Sequence, residues 1–433
     1  MAVQHGSSRQ RDRLQMTASA VSALPESLDS NAVARLSRDE PAWLRTLRSS
    51  WWRRVEADPW PSSAAEEWRR TKLDDLPRDG ALLTDPPRAT YEVDSALAEQ
   101  GVVFTDLASA VREHPDLVQS HLGRRETIIP QGSIWARSLA AWTGGTFLYV
   151  PRGVEVDGPL MARTELPAGD YTYLPHTLVV LEPEARVTLL EEISSPDGAS
   201  TWFGGTAELV VGPGARLRYA NLQRLGDGAW RIGAQRTEVG QDADVITLNA
   251  EVGSLVSKMG LDLRMSGKGG TSKLLGLLAA GGKQMIDINS CQDLLGSHTT
   301  SDLLYLSALY DEAHAAFYGV TRVRPDAKQT SSYQECRNLL LSPKAGAEPI
   351  PVLEIETNDI LRCGHGATAG AIDPVQRFYA QSRGLSADEA EQMIVRGFFE
   401  RVVAQIDSEP IKARILDALA SRIGYAELDG IAA

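Results

Sequence analysis

Residues 184–192 (EARVTLLEE) carry a pattern that returns at 214–223 (GARLRYANLQ) and at 242–253 (DADVITLNAEVG). Each copy joins a turn-like start to a run rich in Val, Leu, Thr and Tyr, and the copies begin 30 and 28 residues apart. Such spacing is typical of stacked β repeats, in which each unit buries its apolar side against its neighbour. No amphipathic helices separate the copies, which excludes a βαβ arrangement. A β-helix and a β-sandwich remain, and the repeat length favours a right-handed parallel β-helix.

The repeats occupy only the middle of a 433-residue chain, which is too long for one simple core. Helical periodicity precedes and follows them. We therefore divide the chain into a disordered lead-in at 1–27, a mixed, mainly α-helical domain at 28–130, the β-helix core at 131–366 and an α-helical domain at 367–433. The first and last coils of a β-helix need caps, and the two flanking helical domains are the candidates for them.

Tryptophan is concentrated in the N-terminal helical domain. Five of the nine tryptophans lie between Trp43 and Trp68. Aromatic residues at helical spacing form core more often than a ligand site, and we interpret this group as core.

Composition limits the function. A net charge of −13 argues against a nucleic-acid partner, because phosphate contacts need a basic surface. No apolar run reaches transmembrane length, and the first fifteen residues (MAVQHGSSRQRDRLQ) lack the apolar stretch of a signal peptide, so no membrane partner is expected. The three cysteines, Cys291, Cys336 and Cys363, are not a disulfide framework. A reducing cytoplasm is the simplest location, and it leaves the thiols free for metal or sulfur chemistry.

The β pattern gives way to a helical one within residues 353–384 (LEIETNDILRCGHGATAGAIDPVQRFYAQSRG). Cys363 and His365 lie two positions apart there, so their side chains share one side wherever the backbone is extended. A thiolate and an imidazole make half of a site for iron or zinc, and the remaining ligands would come from elsewhere in the fold or from a second chain. The alternative is structural, with His365 satisfying a turn and Cys363 buried as an apolar residue.

Cys336 is the third candidate ligand. It lies 27 residues before Cys363, about one repeat, so one coil would bring the two segments side by side. Arg337 and Lys344 follow it in sequence, and we expect them to favour its thiolate form.

Motifs for catalysis are missing. The nearest approach to a phosphate-binding loop, at 276–284 (GLLAAGGKQ), has one residue too many and Gln where Mg²⁺ needs a hydroxyl, so we predict a turn between repeats. A β-helix can also carry paired carboxylates that cleave polysaccharides, and Glu191 and Glu192 are the best such pair. Adjacent strand residues face opposite sides, so these two cannot act together. We therefore expect a protein that is not an enzyme, and keep a polysaccharide-active enzyme as the less favoured alternative.

The helical segment after Gly384 has a wider apolar surface than one packing stripe needs. In one interpretation it forms a pair of helices that packs on the β body. In the other, part of this surface docks a partner protein, and the candidates are Met393, Phe398, Phe399 and Val402.

Several motifs together resemble the SufB/SufD scaffold family of iron–sulfur cluster assembly, and more closely its SufD branch. They are the loop at 363–370 (CGHGATAG), the pair at 378–379 (FY) and the tripeptide at 382–384 (SRG), with the upstream segments 41–44 (PAWL) and 147–154 (FLYVPRGV). The similarity extends from about residue 30 to the end of the chain.

The resemblance implies a β-helix between two helical domains. It also implies pairing with a SufB-type paralogue and with a SufC-type ABC ATPase that docks on the C-terminal helices, and a transient iron–sulfur cluster shared with the partner subunit. His365 would then be a cluster or metal ligand at the interface of the paralogues, with Cys363 and Cys336 as weaker candidates.

Cys336 is one departure from the SufD branch. The resemblance places Cys336 where the SufB branch has its interface cysteine, so this chain would carry both kinds of assembly residue. A homodimer that builds a cluster between two copies is therefore a second hypothesis. A third is a structural subunit that only activates the ATPase.

Overall fold

The computed structural model describes residues 23–24, 28–58, 60–78, 80–87, 89–91, 93–123 and 133–423, so most of the predicted disordered lead-in at 1–27 lies outside the described residues. The described chain is a parallel β-solenoid with helices before and after it, which confirms the predicted fold class and excludes the β-sandwich.

The helices and strands follow in chain order: β1 (Ala23–Leu24), α1 (Ser30–Leu36), α2 (Ala42–Ala57), β2 (Ala81–Leu83), α3 (Ser95–Glu99), β3 (Val103–Asp106), α4 (Leu107–Glu113), α5 (Pro115–His121), α6 (Ser133–Ala141), β4 (Thr146–Val150), β5 (Glu155–Glu165), β6 (Tyr171–Tyr173), β7 (His176–Leu181), β8 (Arg186–Ser194), β9 (Trp202–Phe203), β10 (Thr206–Val211), β11 (Arg216–Arg224), β12 (Trp230–Val239), β13 (Asp244–Glu251), β14 (Val256–Met265), β15 (Thr271–Ala280), β16 (Met285–Leu294), β17 (Thr300–Leu309), β18 (His314–Val323), β19 (Thr330–Leu340), β20 (Gly346–Ile355), β21 (Ile360–Ala371), α7 (Pro374–Ser382), α8 (Ala387–Val403) and α9 (Glu409–Ile423). The last strand ends five residues after the predicted core boundary at 366.

Two parallel sheets form the solenoid, and each coil contributes to both. In the early coils the short strands β6 and β9 join the first sheet beside β7 and β10. The first sheet runs through β4, β7, β10, β12, β14, β16, β18 and β20, and the second through β5, β8, β11, β13, β15, β17, β19 and β21. In the second sheet Arg186 pairs with Arg216, Arg216 with Asp244 and Asp244 with Thr271, which are spacings of 30, 28 and 27 residues. The recurring sequence pattern therefore marks one strand of each successive coil.

Apolar side chains stack in columns inside the solenoid. Val187, Leu217 and Val245 occupy equivalent positions of consecutive coils and belong to one buried cluster that runs along the interior. Each coil buries the side chains of its neighbours, and full burial of one such side chain stabilises the fold by about 1.5–3 kcal/mol.

Helices cover the outer faces of the two sheets. α2 and α4 to α6 pack on the first coils of the first sheet, where Trp51, Trp52 and Trp68 are buried, so the prediction that tryptophans form core is confirmed for these three. α8 and α9 pack on the second sheet. The C-terminal helices thus cover a face of the solenoid rather than its last coil.

Candidate functional site

The last coil brings the three predicted ligands to one side of the second sheet. In the register of β19 and β21, Ser332 pairs with Cys363, Gln334 with His365 and Cys336 with Ala367. Residues that alternate along a strand share a face, so Cys336, Cys363 and His365 all point toward the solenoid interior. Cys363 and His365 share a side because β21 is extended across both, as their spacing predicts.

Burial differs among the three residues. Cys336 is buried within the interior cluster, Cys363 is half-buried against that cluster, and His365 is exposed. β21 is the terminal strand of its sheet, which explains why an inward-facing histidine meets solvent. Asn338 fixes this strand pair, because its Nδ2 donates to the Thr368 carbonyl at 2.9 Å.

The thiols are protonated in the isolated chain near neutral pH. Burial raises the pKa of Cys336 to about 12, and a hydrogen bond from Asn338 offsets this only in part. Burial also raises the pKa of Cys363. The prediction that Arg337 and Lys344 favour the thiolate form of Cys336 is wrong. Arg337 pairs with Glu335 on the outer face, and Lys344 Nζ lies 2.7 Å from Glu312. A metal that binds these sulfurs must displace their protons.

Cys363 and His365 would be only part of a metal site. Among the described residues, no group of three or more His, Cys, Asp and Glu side chains is placed to hold an ion. Cys363 and His365 are therefore at most a half-site. An iron or zinc ion bound by these two residues would need further ligands to complete its coordination.

The edge that carries the half-site is open. Neither β20 nor β21 has a strand partner on its outer side among the described residues. Leu361, beside the half-site, is 68% exposed, and Ile355 at the end of β20 is exposed too. Unpaired N–H and C=O groups next to exposed apolar side chains are a template for pairing with another chain.

The structure divides the four predicted docking residues. Phe399 and Val402 are 1% and 0% exposed, because they pack with Val395 and Val403 against the second sheet. This corrects the prediction for Phe399 and Val402, since a partner cannot reach them without lifting α8. Phe398 is half-buried beside them, and Met393 is 41% exposed.

An exposed apolar surface next to α8 was missed by sequence reasoning. It lies on α7 and consists of Val375, Phe378 and Tyr379, all more than half exposed. The Phe378–Tyr379 pair, one of the motifs that resemble the family, is the sequence signal for this surface. The spacing of Val395, Phe399 and Val402 would also have marked the buried stripe of α8.

The other sequence candidates lie elsewhere. Glu191 accepts from Thr177 inside the solenoid, whereas Glu192 accepts from Arg414 of α9 on the outside, so the two acids face opposite sides as predicted. The glycine pair at 281–282 forms a turn between β15 and β16, as predicted.

Comparison with known proteins is decisive for the family. Residues 165–398, from the end of β5 to α8, match the model described as SUF system FeS cluster assembly, SufBD core domain. The chain belongs to the SufB/SufD family. The match includes the whole last coil and therefore the half-site.

Individual relatives agree with this assignment. The chain is 27% identical to the iron–sulfur cluster assembly protein SufD of Bacillus subtilis, over 89% of this chain and 95% of that protein. It is 28% identical to SufB of the same organism, over 72% of this chain and 67% of that protein. A SufB/SufD-family protein of Staphylococcus saprophyticus is 26% identical over 74% of this chain and 68% of its own length.

Among the described residues, no helix is both long and apolar enough to cross a membrane.

Proposed function

We propose that this chain is a SufD-type subunit of a cytoplasmic scaffold, which builds nascent iron–sulfur clusters and hands them over. It would pair with a SufB-type paralogue and bind a SufC-type ABC ATPase. The observation that carries the proposal is the incomplete thiol–imidazole site on the open last coil of a SufB/SufD-family solenoid. The alignment with SufD over nearly the full length of both proteins supports the branch. Three free cysteines suit a reducing compartment.

In this proposal, the paralogue pairs along β21 and completes the site. His365 is exposed on that strand and serves as the metal ligand, while Cys363 and Cys336 lie deeper on the same face. Iron and sulfide are cargo here, so a site with few and mixed ligands is an advantage. Mixed ligation by imidazole and thiolate holds a cluster less firmly than four thiolates, and release is therefore easier.

The ATPase would dock on the surface formed by Val375, Phe378, Tyr379 and Met393. These residues are the exposed large apolar side chains of α7 and α8. Ordinary monomers rarely leave such side chains grouped in solvent. Phe398, which is also among the docking residues predicted from the sequence, is half-buried at the margin of this surface.

A homodimeric scaffold is the second candidate. It is favoured by one observation, namely that Cys336 and His365 lie on the same face of adjacent strands within one chain. Two copies paired through β21 would bring two such sets together.

The experiment is anaerobic co-expression with a SufB-type paralogue and a SufC-type ATPase, purified through a tag on this chain and assayed for iron and sulfide. Wild type should retain both partners and a cluster, and His365→Ala should lose most of the iron while keeping the partners. His314→Ala is the matched control, because His314 is also exposed on a solenoid strand but belongs to the first sheet, where it pairs with Gly346 of β20 and not with β21.

Several results would decide between the candidates. Loss of iron in Cys336→Ala as well as in His365→Ala would show that this chain supplies more than one ligand. Iron and sulfide retained when this chain is purified without the paralogue would favour the homodimer. Unchanged iron in His365→Ala would contradict the proposed site, and absence of both partners would contradict the proposed function.

A further inference from the structure

Two arginine side chains, one from the N-terminal domain and one from α6, stack on one indole ring. The Cζ atom of Arg137, in α6, lies 4.1 Å from the centroid of the Trp60 ring, and the Cζ atom of Arg78 lies 4.5 Å from it. Trp60 is half-buried and leans on Trp202 of β9, with 6.3 Å between the ring centroids. The cluster is far in sequence from the last coil and has no role in the function proposed above.

Neither guanidinium has a carboxylate partner among the described residues. Arg78 donates to the Leu73 carbonyl at 2.8 Å, and the Nη1 atom of Arg137 is buried without any acceptor. Other arginines of this domain are paired, since Arg48 lies 2.7 Å from Glu40 and Arg70 lies 2.9 Å from Glu66. Arg137 differs from these two arginines, because it is half-buried without an acid beside it among the described residues.

The positive charges and N–H donors of these two guanidinium groups are only partly compensated by their surroundings. Burial, and then the neighbouring charge of Arg78, lower the pKa of Arg137 to about 10. Stacking on an indole stabilises each cation, but it supplies no acceptor for the N–H groups. A buried donor without an acceptor is unfavourable, and a second like charge adds to the cost.

We propose that Arg78, Arg137 and Trp60 form a binding site for an oxyanion, namely the phosphate or carboxylate group of a small molecule. Guanidinium groups present paired N–H donors that match the oxygens of both groups. Arg78 is exposed, so such a ligand reaches its guanidinium from solvent, and it contacts the buried Nη1 of Arg137 once a covering side chain moves aside. An anion would satisfy that donor and separate the two like charges.

The test is thermal unfolding of the full chain in inorganic phosphate, in succinate and in chloride at equal ionic strength. An oxyanion that binds only the folded state raises Tm with a saturable dependence on its concentration. The phosphate and succinate series then distinguish the two ligand classes. Wild type should respond to at least one of them, and Arg78→Gln should weaken the fitted affinity about tenfold or more, which is the loss of a charge-assisted hydrogen bond.

The matched control is Arg54→Gln, because Arg54 also stacks on a tryptophan, with its Cζ 4.6 Å from the Trp51 ring. This variant should keep the wild-type response to oxyanions. Without any oxyanion, Arg78→Gln should have a higher Tm than wild type, since one of two like charges is gone. A purely structural stacking role predicts the opposite sign. The proposal is overturned if neither oxyanion stabilises wild type beyond chloride, or if Arg78→Gln and Arg54→Gln lose the response equally.

Discussion

The two ends of the solenoid differ in whether the chain itself covers the edge strands of the end coil. At the first coil, β3 pairs antiparallel with β4, and Tyr91 and Phe104 close the interior with their rings edge to face and their centroids 5.0 Å apart. At the last coil, β20 and β21 have no outer strand partner among the described residues, and Leu361 is exposed beside them.

The difference supports the proposal that a partner pairs with the open end. Both end coils present backbone donors and acceptors and an apolar interior, and natural proteins normally cover such edges. The N-terminal domain covers one end of the solenoid, whereas the C-terminal helices pack on a face and leave the other end uncovered. The end left open is the one that carries Cys363 and His365.

The largest expected effect comes from a glycine at the closed end. Gly145 precedes β4 with φ +130°, and a Cβ there would lie 1.9 Å from the His176 carbonyl oxygen. Gly145→Ala should therefore destabilise the fold by about 3 kcal/mol or more, measured by urea unfolding. Gly370→Ala at the open end, where a Cβ has nothing within 4 Å, is the control. Equal stabilities for the two variants would contradict the account of the closed end.

Replacing a leucine by alanine should lower the stability of the fold near the closed end but not at the open end. Leu189 is fully buried in the second coil, so Leu189→Ala should cost about 2–5 kcal/mol in urea unfolding. Leu361→Ala should change the stability of the isolated chain by no more than about 0.5 kcal/mol. The same Leu361→Ala variant should bind the SufB-type paralogue more weakly. A large stability loss in Leu361→Ala would mean that the last coil is closed within the chain.

The rates at which the three cysteine thiols are alkylated should show that solvent reaches the interior at the open end. Cys363 is half-buried, while Cys291 and Cys336 are buried and burial raises the pKa of each to about 12. Iodoacetamide should therefore modify Cys363 at least about tenfold faster than the other two in the native chain, as read by peptide mass spectrometry. Denatured chain, in which all three react alike, is the control. Equal native rates would place Cys336 within reach of solvent and count against the geometry of the site.

The smallest effect concerns the helix that covers the face. The hydrogen bond from Arg401 of α8 holds the pKa of Glu335 on β19 below its ordinary value. A lowered folded-state pKa contributes stability above the unfolded pKa of about 4.3 and loses it as the pH falls through the folded value. Arg401→Gln should cost about 0.2–1 kcal/mol at pH 7, and this difference should vanish in acid. A difference that persists below pH 3 would exclude the ion pair as its cause.

Much of the fold is predictable because the solenoid repeats itself. The segments that begin at Glu184, Gly214 and Asp242 share one pattern, and each marks the same strand of a new coil. A period repeated several times is a stronger signal than any single strand. The spacing of Cys363 and His365 also predicts a shared side, since it depends only on an extended backbone.

The rest depends on packing that no local pattern contains. Phe399 and Met393 are both apolar residues of α8, and only the position of the second sheet decides which of them is buried. Whether Arg337 acts on Cys336 depends on the face of β19 that each occupies, and adjacent strand residues face opposite sides. The sequence predicts Trp60 as core. That no acid among the described residues lies beside Arg78 and Arg137 becomes visible only in three dimensions.

Amide hydrogen exchange of this chain, alone and bound to the SufB-type paralogue, tests the central claim most directly. If the paralogue pairs with the open end, exchange in residues 360–371 should slow at least about tenfold on binding, while residues 146–150 at the closed end should not change. Unchanged exchange in β21 within a stable complex would contradict the claim and place the interface elsewhere.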